Sequence, residues 1–131
     1  MSMLTPAGLA LTRLMDEIPR GPRREGVFAL WLVIRLVEDL LLVPEPPERA
    51  VKRRVAALAQ RLSSLTLPAP LRRALGPALA ELEVPGPQIA GQVLQQLVAP
   101  ARESLGGEAA DILARAARGA AQRSREGSDP R

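Results

Sequence analysis

The chain has 131 residues, enough for one hydrophobic core, and we predict a single domain over residues 1–122. With 47% hydrophobic and only 2% aromatic residues, the core must consist of Leu, Val, Ile and Ala, which favours helices over sheets. The absence of Cys and His excludes disulfides, thiolate nucleophiles, imidazole bases and the usual zinc ligands, whereas the net charge of +4 makes nucleic-acid binding a hypothesis to test.

The first predicted helix covers residues 5–18. Thr5 followed by Pro6 suits a helix start, because proline fits the first helical position after a capping residue. The apolar face at helical spacing consists of Leu11, Leu14, Met15 and Ile18. We expect the helix to end at the turn PRGP, residues 19–22.

The second predicted helix, residues 23–43, is apolar around nearly its whole circumference. A helix of this kind is buried, so we expect it to be the central element around which the others pack. A membrane span is disfavoured because Arg35, Glu38 and Asp39 would each cost roughly 2.5 to 3.5 kcal/mol in a bilayer.

Four further helices are predicted from apolar residues at helical spacing, over residues 47–64, 70–83, 87–105 and 108–122. The pair Gly76–Pro77 should kink the fourth helix or divide it into two short helices. The polar tail, residues 123–131, offers nothing to bury and is expected to be disordered.

A proline-rich hexamer occurs three times between predicted helices, as LLVPEP (41–46), LTLPAP (65–70) and LEVPGP (82–87). A residue before proline disfavours the α-helical region, and a proline can open a helix, so each copy predicts a Pro-x-Pro corner. The copies are 24 and 17 residues apart, an uneven spacing that favours a compact all-α bundle of about six short helices over a HEAT-like repeat.

Catalysis is not expected from this sequence. It contains no Gly-x-Ser-x-Gly, Walker or Gly-x-Gly-x-x-Gly motif, and its acid pairs, such as Asp16–Glu17 and Glu38–Asp39, lack the His that a carboxylate di-metal site would need. We therefore predict that the protein is not an enzyme and has no metal, no cofactor and no small-molecule substrate.

A mixed stripe on the second helix is the candidate partner-binding site. At 100° per residue, six residues fall on one arc of about 100°: Phe28, Trp31, Arg35, Glu38, Asp39 and Leu42. Two interpretations are open. The aromatic residues complete the core with the charges satisfying one another at its margin, or the stripe docks a protein partner or a second copy, since Trp and Arg are enriched at binding hot spots.

The alternative function is nucleic-acid binding through the basic third helix. Its candidate phosphate-binding residues are Arg49, Lys52, Arg53, Arg54 and Arg61. The segment has no Asn or aromatic residue for base reading or stacking, and its charges are spread over an arc. Lys52 is the only lysine among 18 basic residues, a bias typical of GC-rich and hence bacterial genomes.

We therefore expect a non-catalytic protein–protein interaction or adaptor module that forms a homodimer or docks a partner through the second helix. Residues 1–12 show no basic segment followed by a long apolar run, so no secretory signal is predicted and a cytoplasmic location is expected. No membrane partner is expected.

Overall fold

The computed structural model describes residues 6–42, 48–83 and 89–128, with side chains described for 6–40, 48–83 and 89–122. These ranges contain six α-helices and no strand: α1 (Pro6–Glu17), α2 (Pro22–Leu42), α3 (Glu48–Ser63), α4 (Ala69–Leu82), α5 (Ile89–Leu105) and α6 (Gly107–Ser128). The predicted all-α class is confirmed. Thr5, proposed as a helix cap, lies outside the described residues.

Contacts between helices distant in the chain make this fold a compact bundle. Helix α2 packs against α1, α3, α5 and α6, as expected of a central element, and α1 also packs against α6. In a helical solenoid each repeat contacts only its neighbours, so the α1–α6 contact argues against the HEAT-like alternative. Helix α5 shares the central position, because it contacts α2, α4 and α6, and its interface with α6 is the most extensive in the bundle.

The aliphatic side of α2 forms the middle of the core. Its buried residues are Val27, Ala29, Leu30, Leu32, Val33, Ile34, Leu36 and Val37. Complete burial of one Leu or Val side chain contributes about 1.5 to 3 kcal/mol, so this arc is a large part of the driving force for folding.

Helix α4 is continuous across Gly76–Pro77, so of the two predicted alternatives, a kink or a division into two short helices, the division is wrong. Pro77 cannot donate the backbone hydrogen bond that the carbonyl of Arg73 would accept. Gly76, Pro77 and Arg73 are all exposed, so water can reach that carbonyl. The opposite face of α4 is buried at Leu71, Leu75 and Leu79, and this packing holds the helix together across the proline.

Helix α6 continues to Ser128, beyond the predicted end at Gln122. Backbone propensity explains the extension, because no proline follows until Pro130 and the added residues include Arg and Glu, which are good helix formers. The division into a domain of residues 1–122 and a disordered tail of residues 123–131 stays a prediction.

The middle Pro-x-Pro corner is the one that the structure describes in full. Pro68 precedes α4 and Pro70 lies in its first turn, and Leu67 is buried while Leu65 is partly buried against the core. The backbone N–H of Thr66 also donates a hydrogen bond to Glu25 of α2 at 3.2 Å. The other two hexamers fall largely in residues 43–47 and 84–88, outside the described ranges.

Close helix packing is possible at Gly26 because that residue has no side chain. A Cβ atom built there would lie 2.5 Å from Cδ2 of Leu105 and 3.3 Å from Cδ2 of Leu71. Position 26 is therefore where α2 meets the end of α5 and the start of α4. Any larger residue would force the core leucines to move.

We expect Gly26→Ala to lower the free energy of unfolding by about 1 to 3 kcal/mol, the usual cost of overpacking a core. Gly119→Ala is the matched control, because a Cβ at this helical position meets nothing within 4 Å and should raise stability by about 0.5 to 1 kcal/mol. Urea unfolding followed by circular dichroism measures both. Equal stability of the two variants would contradict the tight packing at Gly26.

Candidate protein-docking site

Phe28 and Trp31 form a stacked pair at the edge of the core. Their ring centroids are 5.9 Å apart, and the ring planes differ by 14°. Both side chains are partly buried, in contrast to the fully buried aliphatic arc of α2 beside them. Each ring therefore packs on the core and also reaches the surface.

Arg35 lies over the indole of Trp31, one helical turn further along α2. Its guanidinium carbon is 5.2 Å from the ring centroid, within the range of a cation-π contact. At a partly exposed site such a contact contributes about 0.5 to 1 kcal/mol. We name Phe28, Trp31 and Arg35 the aromatic cluster.

The indole N–H of Trp31 is buried and finds no hydrogen-bond acceptor among the described residues. Burial of an unpaired donor costs about 1 to 3 kcal/mol, and most buried polar groups in native proteins are paired. The aromatic cluster therefore carries a donor that the described part of the bundle leaves unsatisfied.

Helix α3 covers one side of the predicted stripe. The guanidinium carbon of Arg61 lies 5.5 Å from the ring centroid of Phe28, and Nη1 of Arg54 lies 3.7 Å from Oδ2 of Asp39. Two residues of the predicted nucleic-acid set thus contact two residues of the predicted partner-binding set. The two candidate sites are neighbours on one surface.

These contacts leave fewer cations of α3 available for phosphate. Lys52 forms an ion pair with Glu48 at 3.2 Å, and Arg54 and Arg61 are engaged with α2. Among the described residues, no ion pair or cation-π contact is found for Arg49 or Arg53. Three of the five predicted basic residues therefore have partners inside the chain.

The net positive charge of the chain nevertheless resides in the α3–α4 region. Residues 48–83 contain seven basic and three acidic side chains, a net of +4, whereas the rest of the chain contains eleven of each. A shallow depression of about 450 Å³ beside Phe28 adds to this basic surface, since two arginines, Arg20 and Arg24, and one acid, Glu25, line it. The surroundings of the aromatic cluster favour an acidic partner.

Glu38 is separated from the aromatic cluster. It lines a cavity of about 250 Å³ that lies between α1, α2, α5 and α6, which we name the α1–α6 groove. Asp39, the next residue, points toward α3, because neighbouring residues on a helix differ by about 100° in direction. Leu42, the last residue of the predicted stripe, has a side chain outside the described part.

The sequence did not reveal the α1–α6 groove. Its floor consists of Ile34, Val37, Leu94 and Ile112, and its walls are small residues of α1 and α6. Alanines such as Ala7 and Ala116 give no signal of a cavity in a sequence, because the space depends on how four helices cross. Only the pair of charges at its border, Glu38 and Arg115, is chemically distinctive.

Neither a metal site nor a membrane span is found in the part of the chain that the structure describes. No group of three or more carboxylates there is placed to hold a metal ion. None of the helices in the same ranges has the length and hydrophobicity needed to cross a bilayer.

Comparisons with known proteins find no matching family model, no matching curated protein and no matching solved structure. The functional argument therefore rests on the geometry of the aromatic cluster and its surroundings.

Trp31→Phe should change the free energy of unfolding by less than about 1 kcal/mol, because Phe keeps a ring for Phe28 and Arg35 and removes the unpaired donor. Trp31→Ala should lower it by about 2 to 3 kcal/mol, less than the ~3 to 5 kcal/mol typical of fully buried aromatic residues. Urea unfolding provides both values. A Phe variant as unstable as the Ala variant would show that the N–H is paired after all.

Proposed function

We propose that the protein is a non-catalytic interaction or adaptor module that docks a protein partner at the aromatic cluster. The observation that carries this proposal is the partly exposed indole of Trp31, which stacks on Phe28 and lies under Arg35. A partner would contact the exposed part of the ring and the guanidinium above it, since the N–H itself is buried.

The residue types at the cluster suit such a role. Tryptophan, tyrosine and arginine dominate binding hot spots, where a ring fills a pocket and a neighbouring polar group fixes orientation. Trp31 and Arg35 supply both elements on one helical face, and the depression beside Phe28 offers room for an apolar side chain of the partner. The arginines around it favour a partner segment with Asp or Glu beside its apolar anchor.

The proposal includes further features that follow from the sequence. The module acts without a metal, cofactor or small-molecule substrate, works in the cytoplasm of a bacterium, and associates with itself as a homodimer. The scarcity of side chains suited to acid–base or nucleophilic chemistry supports the non-catalytic role, since the chain has no Cys and no His.

Nucleic-acid binding through α3 is the second candidate, and the net charge of +4 within residues 48–83 favours it. Its weakness is the engagement of Lys52, Arg54 and Arg61 with acidic or aromatic partners in the chain. Binding to duplex DNA or RNA that falls steeply with salt and is lost in an Arg49→Gln/Arg53→Gln variant would favour this candidate. We expect weak binding that the double substitution leaves unchanged.

The partner-docking proposal is tested in two steps. The tagged protein captures candidate partners from the native host, and each candidate is then purified and titrated against the protein while the emission of Trp31, the sole tryptophan, is followed. Arg35→Ala should raise the dissociation constant at least tenfold, and Trp31→Ala at least thirtyfold, the effects of a moderate and a strong hot spot.

The matched control is Arg118→Ala, which removes an exposed arginine of α6 and should leave the dissociation constant unchanged. Circular dichroism confirms that each variant is folded. A partner whose affinity is the same for the wild type, Trp31→Ala and Arg35→Ala would refute docking at the aromatic cluster.

A further inference from the structure

The α1–α6 groove has the features of a receptor for one protruding apolar side chain. Its floor is formed by Ile34, Val37, Leu94 and Ile112, and its volume of about 250 Å³ is below the ~300 to 1,000 Å³ of typical small-molecule pockets. Apart from Glu38 and Arg115, the rest of its lining among the described residues consists of Pro, Ala and Gly residues of α1 and α6.

One exposed apolar side chain on α1 has the size to enter such a groove on another copy of the chain. Leu9 of α1 is the single large hydrophobic residue that is exposed among the described residues, with 44% of its surface accessible. Pro6, Ala7 and Ala10 of the same helix line the groove. On an ideal helix the side chain of Leu9 points about 100° away from the mean direction of those three residues. Leu9 therefore lies on the outer face of α1, about a quarter of a turn around the helix from the residues that line the groove.

The charges at the groove are also complementary to each other. Glu38 of α2 and Arg115 of α6 both line it, and neither forms an ion pair or a side-chain hydrogen bond with the residues that the structure describes. A surface with one unpaired acid and one unpaired base is complementary to a copy of itself turned by 180°. In that arrangement each Glu38 meets the other protomer's Arg115.

We propose that a second copy of this chain docks at the α1–α6 groove in a two-fold symmetric dimer. Leu9 of each protomer enters the groove of its partner, and two Glu38–Arg115 pairs form across the interface. A two-fold interface uses the same patch on both subunits, so it requires a surface that carries the exposed leucine, the groove and both charges together. This inference rests on the proposed interaction function, and it places self-association away from the aromatic cluster.

Separate surfaces for self-association and partner docking have a consequence for the assembly. Trp31 lies on the same side of α2 as Glu38 but two turns, or about 10 Å, earlier along the helix, and it is not among the residues that line the groove. In the proposed dimer the indole therefore stays outside the contact. Each dimer then presents two copies of the partner site, and a partner with two binding segments gains avidity.

Sedimentation velocity over roughly a hundredfold range of protein concentration provides the first measurement. The chain of 14.0 kDa should shift toward a species of about 28 kDa as concentration rises. Leu9→Arg removes the apolar side chain at an exposed position, and Gly119→Leu fills the groove where a Cβ meets nothing within 4 Å. Each should raise the dimer dissociation constant at least tenfold without loss of helicity.

The control is Ala59→Leu, which adds a leucine at an exposed position of α3, outside the groove lining, and should leave the dimer unchanged. Reversing the two charges tests the Glu38–Arg115 ion pairs between the protomers. Glu38→Arg and Arg115→Glu should each weaken the dimer, and the double variant should restore the dissociation constant to within about threefold, because the exchanged charges still attract.

A wild-type protein that stays monomeric throughout the concentration range overturns the inference, as does a dimer that tolerates both Leu9→Arg and Gly119→Leu. A dimer lost in Trp31→Ala and retained in Leu9→Arg also overturns it, while leaving the aromatic cluster as a docking site. A double charge variant no better than the single variants refutes the cross-pairs.

Discussion

Burial of α2 is the constraint on which the rest of this structure depends. Its aliphatic arc is covered by α1, α5 and α6, and the close approach at Gly26 brings Leu105 and Leu71 against it. Because these neighbours occupy the aliphatic side, only α3 is left to cover the stripe with the aromatic and charged residues. Among the described residues, the main contacts of α3 are with α2 and α4, and Phe28 and Trp31 beside it stay partly exposed. The partial exposure of Trp31 follows from this arrangement.

The contact between α2 and α3 also shows that the basic residues of α3 take part in packing between helices. The guanidinium groups of Arg54 and Arg61 reach from α3 to Asp39 and to the ring of Phe28 on α2. The exposed pair Arg54–Asp39 adds little stability by itself, as is usual for ion pairs at the surface. The pair joins α3 to α2, and these two helices carry the two binding sites that were predicted separately from the sequence.

Small residues have two opposite effects in this bundle. At Gly91 a Cβ would lie 3.2 Å from Cβ of Ala121, so a small residue allows α5 and α6 to pack closely. At Gly119, on the same helix α6, a Cβ would meet nothing, and the small residue leaves open space that belongs to the α1–α6 groove. The neighbouring helix explains the difference. Helix α6 fills the space beside Gly91, whereas only the beginning of α1 borders the space beside Gly119.

The sequence by itself determined the class of fold and most of the helices, because these follow from local chemistry. Apolar spacing located α1, α2 and α3 to within one or two residues, and the prolines of the turn at residues 19–22 and of the middle hexamer marked helix boundaries. It also placed the aliphatic arc of α2 in the core. Only the tertiary structure decided that α4 stays whole across Pro77, because packing of its buried leucines outweighs the missing backbone hydrogen bond.

The candidate sites required the tertiary structure for the same reason. Glu38 and Asp39 are adjacent in the chain, yet one lines the α1–α6 groove and the other pairs with Arg54, since each faces a different neighbouring helix. The periodicity of apolar residues shows which side of a helix is buried. It contains no information on which other helix covers that side, because crossing angles and distances are set by packing between residues far apart in the chain.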